Sequence, residues 1–376
     1  MKISKELKME FNRPIWTEID LTKLKKNYKR IEEIVKGRRI ICVVKADAYG
    51  HGAVEVSKAL EESGAFALAV ASMEEAMILR DNAINSSILV LGYVDPKTLG
   101  IASDLNISIT MFDKSFLKRL KEYHGSKPIK IHIDVDTGMG RLGLFPEEVL
   151  DTVREITNLN NIYLEGIYTH FSSADSDKKY TADQLRIFNR IIEDLKDENL
   201  CPPITHASNS SAVLNETKSY FNAVRPGILL YGLSPLNKDI ESIEPILSFK
   251  SRVISARNVK EGSNIGYGRT FITKKPSLLA TIPVGYADGV PRSLSNKGEV
   301  IIKGMRAPIV GTISMDLTII DVTGFPYIHP GNEVVLIGQQ GNEKITASDI
   351  ASKTGTINYE IVTRIGKRVK RIFKNS

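Results

Sequence analysis

The stretch RIICVVKADAYGHGAVEVSKALEESGAFALAVAS, residues 39–72, holds one complete structural unit. It opens on an apolar, β-branched run (39–46), turns at YGHG, continues through AVEVSKALEES with apolar residues three and four apart, and closes on a second run, AFALAVAS (65–72). Such runs read as strands and such spacing as an amphipathic helix. Further runs follow at 86–93, 107–112, 129–136, 162–171, 203–210 and 223–232. Helical segments such as EEAMILRDNA, KSFLKRLKEY, PEEVLDTVREI and ADQLRIFNRIIEDLKD separate most of them. Strands alternating with helices in this way predict an α/β protein with a (β/α)8 TIM barrel. Beyond about residue 240 the rhythm changes to short runs, including LLATIPVGY, EVIIKG, LTIIDVTG and EVVLIG, broken by glycine and proline, with only TASDIASKTG helical in character. This predicts a C-terminal, mainly-β domain. The expected division is a barrel over 15–240 and a β domain over 241–376, with residues 1–14 supplying a strand to the latter and the seam in SPLNKDIESIEP (234–245).

Composition narrows the function classes. The 376 residues are 42% hydrophobic and 25% charged, within the ordinary globular range. No segment approaches the roughly 20 apolar residues of a membrane span, so no membrane association is expected. The N-terminal MKISKELKMEFNRPIW lacks the apolar core of a secretory signal, and Cys42 and Cys201 are the two cysteines, without a CxxC pair. Both features point to the cytoplasm and away from a thiolate metal site. The formal charge of +7 and the tail GKRVKRIFKNS invite a nucleic-acid reading, but the 51 basic residues are spread among 44 acidic ones and no nucleic-acid motif is present. No nucleic-acid partner is expected.

Barrel enzymes carry their chemistry at the C-terminal ends of the strands. In this sequence polar residues fall there repeatedly: Lys45 after the first run, Arg141 in DTGMGRLG after the fifth, His170 at the end of the sixth, Ser210 after the seventh, and Arg225, Gly227 and Ile228 along the eighth. A lysine at a strand end is most often a side chain reaching solvent. In an apolar, cation-rich pocket it becomes a nucleophile, because burial lowers its pKa and frees the amine to condense with an aldehyde such as that of pyridoxal phosphate. His132, Asp134 and Asp136, on one strand face, together with His170 and His206, leave open a second reading as a metal-dependent hydrolase.

The segments VVKADAYGHG, DTGMGRLG, THF, HASNSSA, AVRPGILLYG, GYGRTF, VGYADG and ISMD, in this order and spacing, resemble the alanine racemases across nearly the whole chain. The resemblance implies a pyridoxal 5'-phosphate enzyme, a homodimer with shared active sites that interconverts L- and D-alanine and supplies D-alanine for peptidoglycan. By the same resemblance Lys45 holds the cofactor and serves as one base, and Tyr267, supplied by the partner subunit, serves as the other. Two bases on opposite faces of a planar carbanion are what racemisation requires. Arg225 matches the residue facing the pyridine nitrogen, with His170 supporting it. Tyr49, Ser210, Gly227, Ile228 and Tyr359 match the phosphate-binding positions, Arg141 and, from the partner subunit, the backbone of Met315 those for the substrate, and Tyr286 the tyrosine that narrows the entrance. No metal is implied.

Two positions depart from the family pattern. Many relatives carry a carbamylated lysine seven residues before the arginine of the GMGR turn, where this chain has Asp134, and a cysteine is frequent where it has Ser314. Asp134 brings the same sign of charge without CO2 and is expected to stand in as support for Arg141, on a much shorter stem. A non-catalytic pyridoxal-phosphate carrier on the same barrel, or an amino-acid decarboxylase, would share the first motifs. The carrier lacks a C-terminal β domain and hence Tyr267, and the decarboxylases fit GYGRTF and ISMD less well.

Overall fold

The computed structural model describes residues 13–236 and 240–375. The chain divides into two compact units, Lys23–Glu244 and Met1–Thr22 with Pro245–Ser376. The first is a closed barrel of eight parallel strands: after β1 (Ile15–Asp20), which lies outside it, come β2 (Arg39–Val43), β3 (Ala67–Val70), β4 (Ser87–Val90), β5 (Ile107–Met111), β6 (Ile129–Val135), β7 (Ile162–Thr169), β8 (Ile204–His206) and β9 (Ala223–Val224). Each lies within a run expected from the sequence. Most of these strands are buried on both faces, so they read as continuous apolar runs without alternation. Ile41, Val43, Ala67, Ala69, Leu89, Ile204 and Ala223 form one core cluster. The last strand is the shortest because Pro226 has no N–H to continue the ladder.

The expected boundaries need correction. The proposed strand over 1–14 falls mostly outside the described residues, and the strand that joins the β unit is β1, assigned above to the barrel. It pairs antiparallel with Leu247–Arg252 and parallel with Lys370–Lys374. The reason is visible in its pattern: Ile15, Thr17 and Ile19 are buried and Trp16, Glu18 and Asp20 are not. That alternation suits an open sheet with one covered face, not a barrel wrapped by helices.

The β unit contains a seven-stranded sheet and a three-stranded one, the latter formed by Ser255–Val259, Ser277–Ile282 and Thr318–Asp321. Its helix Ala347–Thr354 begins on a Thr346 cap and ends at Gly355 in the left-handed conformation. A second short helix, Asn358–Thr363, was not evident in the sequence and carries Tyr359.

Candidate active site

Immediately after β2 the chain makes a left-handed helical turn. Ala46, Asp47, Ala48 and Tyr49 have φ of 54°, 53°, 52° and 54°. For residues with a Cβ this costs about 1–2 kcal/mol each, so the surroundings must hold the turn in place. The Glu75 carboxylate accepts from Ala46 N–H at 2.7 Å and from Ala71 N–H at 2.8 Å, and Asp47 accepts from Ala53 N–H at 2.8 Å. Beneath the turn, His51 donates from Nδ1 to Ala48 O and Tyr49 O, both at 2.9 Å, and its ring stacks 4.6 Å from Tyr231. The Tyr231 hydroxyl donates to Val43 O at 2.8 Å, joining the turn to the strand.

The consequence is that Lys45 leaves the strand half-buried at the barrel mouth. Burial and then the Arg141 cation, with Arg225 adding to them, lower its amine below the ordinary lysine value despite an opposing pull from Glu75. Glu75→Ala should cost about 1–3 kcal/mol in urea unfolding through the loss of two charge-assisted hydrogen bonds. The exposed neighbour Glu74 makes neither bond, and Glu74→Ala should leave the midpoint nearly unchanged.

Arg225 is buried and held on several sides. Its Nη2 donates to Thr169 O at 2.8 Å, to Ala207 O at 3.2 Å and to His170 Nδ1 at 3.4 Å, while Nη1 donates to His206 Nδ1 at 2.6 Å. The guanidinium lies 4.8 Å over the Tyr168 ring. Burial lowers Arg225 to about 10, so it stays a cation at neutral pH, and burial with the Arg225, Arg141 and Lys45 charges takes His170 down to about 3. His170 is therefore a neutral acceptor.

A polar cradle lies where β9 leaves the barrel. Ser210 Oγ accepts from Gly227 N–H at 2.8 Å and from Leu229 N–H at 3.4 Å. A Cβ on Gly227 would sit 2.4 Å from the Tyr49 hydroxyl, so only glycine lets that hydroxyl approach the backbone. Ile228 is fully buried in the next position. Ser210 is the first residue of the helix Ser210–Asn215 rather than its cap. Asn209 caps it, accepting from Ala212 N–H at 3.0 Å.

Arg141 follows a tight turn in which Asp136 accepts from the N–H groups of Gly138, Met139 and Gly140 at 2.8–3.1 Å. Its side chain is exposed, and among the described residues no ion pair joins it to Asp134. Asp134 is buried, and burial pushes its carboxyl up to about 7 against the pull of Arg225 and Arg141. A carboxyl raised from ~4 in the unfolded chain favours folding while it is protonated. That stability is fully present below pH ~4 and is lost as pH rises through about 7. Asp134→Asn should therefore melt above the parent near pH 8, by up to about 4 kcal/mol, with the gap closing near pH 4. A pH-independent difference between the two melting curves would contradict this.

The remaining residues belong to the β unit. Tyr267 is 71% exposed, in a turn where Thr312 Oγ1 donates to Tyr267 O at 2.9 Å. Tyr286 N–H donates to Ser314 O and Ala287 N–H to Met315 O, each at 3.1 Å. A Cβ on Gly285 would lie 2.3 Å from Ser314 O, so the two backbones are in contact. Thr312, Ser314 and Met315 thus link Tyr267 and Tyr286 on one segment. Tyr359 is half-buried on its short helix.

The structure brings Lys45, Tyr49, Asp134, Arg141, His170, Ser210, Arg225, Gly227 and Ile228 to the barrel unit's strand ends and links Tyr267, Tyr286 and Met315 within the β unit. Sequence reasoning missed Glu75, which looked like an ordinary acidic residue of a helix's first turn, and the carbonyl of Thr169, which carries no sequence signal. His132 and His206, noted only as metal ligands, hydrogen-bond to each other at 2.9 Å. Among the described residues no group of three or more His, Cys, Asp or Glu side chains is arranged to hold a metal.

Comparison with known proteins agrees with this geometry. Residues 19–235 match the family model of the alanine racemase N-terminal domain and residues 246–373 that of its C-terminal domain. Alanine racemase from Halothermothrix orenii is 44% identical over 96% of this chain and 97% of its own length, and that from Methanococcus maripaludis 45% over 96% and 98%. Among solved structures, alanine racemase from Bacillus anthracis with bound L-Ala-P superimposes with a TM-score of 0.90 at 38% identity, covering 97% of this chain and 96% of that one. The E. faecalis enzyme gives 0.92 at 32% identity over the full length of both. With both halves matched, and a half-buried lysine and a buried arginine at one barrel mouth, the chain belongs to the alanine racemase family.

Proposed function

We propose that this racemase interconverts L- and D-alanine by a two-base mechanism on pyridoxal 5'-phosphate, with Lys45 and Tyr267 of the partner subunit as the bases. The observation that carries the reading is the Lys45 amine, half-buried and lowered beside two arginines at the end of a barrel strand. The donor set fits the cofactor. Lys45, Arg141 and Arg225 make a cationic mouth suited to a phosphate and a carboxylate, and the Tyr49 hydroxyl, Ser210 Oγ and the backbone at Gly227 and Ile228 form a cradle that an extra Cβ would fill. Tyr359 matches a further phosphate-binding position by the family resemblance. When bound, the cofactor supplies an aldehyde for Lys45 and a ring that withdraws electrons from the substrate's Cα.

The chain's own residues do the rest. Lys45 takes the proton at Cα on one face as the free amine and returns it there as the ammonium. The partner's Tyr267 does the same on the other. Arg225 stays protonated and offers the ring nitrogen a donor but no proton, which limits charge delocalisation into the ring and disfavours transamination. His170 steadies it. Arg141 and the backbone of the partner's Met315 hold the substrate carboxylate, and Tyr286 narrows the approach to favour a small side chain. Asp134 acts on Arg141 through its charge, a role that grows as pH rises through about 7. Asp134→Ala should raise KM for alanine more than it lowers kcat; unchanged values of both would remove Asp134 from the site.

If the partner's Tyr267 and Met315 complete each site, the working enzyme is a homodimer. We place it in the cytoplasm, feeding D-alanine to peptidoglycan synthesis, with no nucleic-acid partner. Among the described residues no helix is long and apolar enough to cross a membrane. The test is the optical rotation of L-alanine with purified protein and added cofactor. Decay to zero is expected, whereas constant rotation with cofactor bound would favour a carrier protein.

A further inference from the structure

Below Arg225 the barrel holds a line of polar groups, two buried histidines and a half-buried glutamate, with no part in the chemistry above. Arg225 Nη1 lies 2.6 Å from His206 Nδ1, His206 Nε2 lies 2.9 Å from His132 Nδ1, and His132 Nε2 lies 3.2 Å from Glu165 Oε2. Arginine only donates, so His206 Nδ1 must be bare and its proton must sit on Nε2. His206 then donates to His132 Nδ1, which must also be bare, and His132 donates from Nε2 to the carboxylate. Every hydrogen bond points the same way, and neither imidazole can take a second proton without breaking a link.

The fold is built around this line. β6 and β7 pair Ile131 with Leu164 and His132 with Gly166, leaving Glu165 as the extra residue of a β-bulge. A Cβ on Gly166 would lie 2.3 Å from His132 Nδ1, so the imidazole rests directly on the backbone beside the bulge. The Tyr168 ring stacks 4.9 Å from His206 and lies under the Arg225 guanidinium. Burial raises the Glu165 carboxyl, but the hydrogen bonds from His132 and Ser108, with Lys130 3.7 Å away, outweigh it and keep the group ionised.

We propose that Glu165, acting through His132 and His206, is a positioning residue for Arg225. It anchors the negative end of a one-directional relay that fixes both imidazole tautomers and hence the placement of the guanidinium. The catalytic part of this inference rests on the reading that Arg225 faces the cofactor; the relay itself does not.

The test is 15N NMR of histidine-labelled holoenzyme with turnover assays on the parent, Glu165→Gln and Glu165→Leu. In the parent, His132 and His206 should both carry the proton on Nε2 alone from about pH 6 to 9, across the range where a free histidine titrates. Glu165→Gln keeps an acceptor oxygen, so both tautomers should persist and kcat should fall only about two- to fivefold. Glu165→Leu should release the tautomers and lower kcat roughly 10- to 100-fold at nearly constant KM, as misplaced catalytic groups do. A proton on Nδ1 of either imidazole in the parent, or parental tautomers and turnover in Glu165→Leu, would overturn the proposal. Should the leucine variant fail to fold, the parental tautomers and the glutamine variant decide. A parent with these tautomers but no racemisation would refute the function and leave the relay standing.

Discussion

Lys45→Ala is expected to lose racemisation by about four orders of magnitude, the upper end of what a positioned general base contributes, because it removes both a base and the covalent anchor for the cofactor. Lys45→Arg should be nearly as inactive. Arginine keeps the positive charge but stays protonated at any working pH, so it offers no free amine. The difference between the two lies in what survives. Arg141, Arg225 and the Ser210–Gly227 cradle are intact in both, so each should bind the cofactor reversibly and lose it on dialysis. Chiral chromatography of alanine and the absorbance of dialysed protein check this, and arginine-variant activity above about a tenth of the parent would exclude Lys45 as the base. In the parent, because burial and the arginines lower the amine, the free base forms below the ordinary lysine range. Activity should therefore rise with pH through that lowered value.

Tyr267→Phe removes the second base and should lower turnover roughly 10²- to 10⁴-fold while leaving cofactor binding intact. The residual activity should be lopsided. With only Lys45 exchanging protons, deuterium from solvent should enter one enantiomer of alanine far faster than the other is formed. A subunit-mixing experiment then tests whose tyrosine serves which lysine. If each site combines Lys45 of one chain with Tyr267 of its partner, a dimer of one Lys45→Ala and one Tyr267→Phe chain contains one intact site and one doubly defective site. Random reassortment of equal amounts makes half the dimers mixed, so activity should return to about a quarter of the parent's. If Tyr267 serves its own barrel, every mixed site carries one defect and nothing returns. The 71% exposure of Tyr267 on the single chain is the observation behind the shared-site expectation.

Much of the barrel could be read from the sequence because its signals are local. A strand buried on both faces leaves an unbroken apolar run, as at ALAV in β3, and a helix covering it leaves a three-and-four spacing, as at PEEVLDTVREI. The same locality let Lys45, Arg141, His170 and Arg225 be placed at one mouth, since each follows a recognisable strand and the barrel rule gathers strand ends. The error over β1 came from the same source: its alternating burial was in the sequence, but its partners, residues 247–252 and 370–374, were hundreds of positions away.

What only the tertiary structure decided is set by contacts between distant residues. No local pattern requires Ala46 to Tyr49 to wind left-handed; Glu75, some 29 positions on, accepts from Ala46 N–H and helps hold that turn in place. Asp134 reads as an ordinary carboxylate, and burial raises it to about 7. Glu165 looks like one polar residue in a strand until the bulge turns it toward His132, 33 positions earlier, in line with His206 and Arg225. The sequence by itself determined which elements form and which chemical groups stand at their ends. Dielectric environment and hydrogen-bond direction depend on the burial and orientation of groups that the chain brings together only on folding, so the charge states and tautomers of this site were decided there.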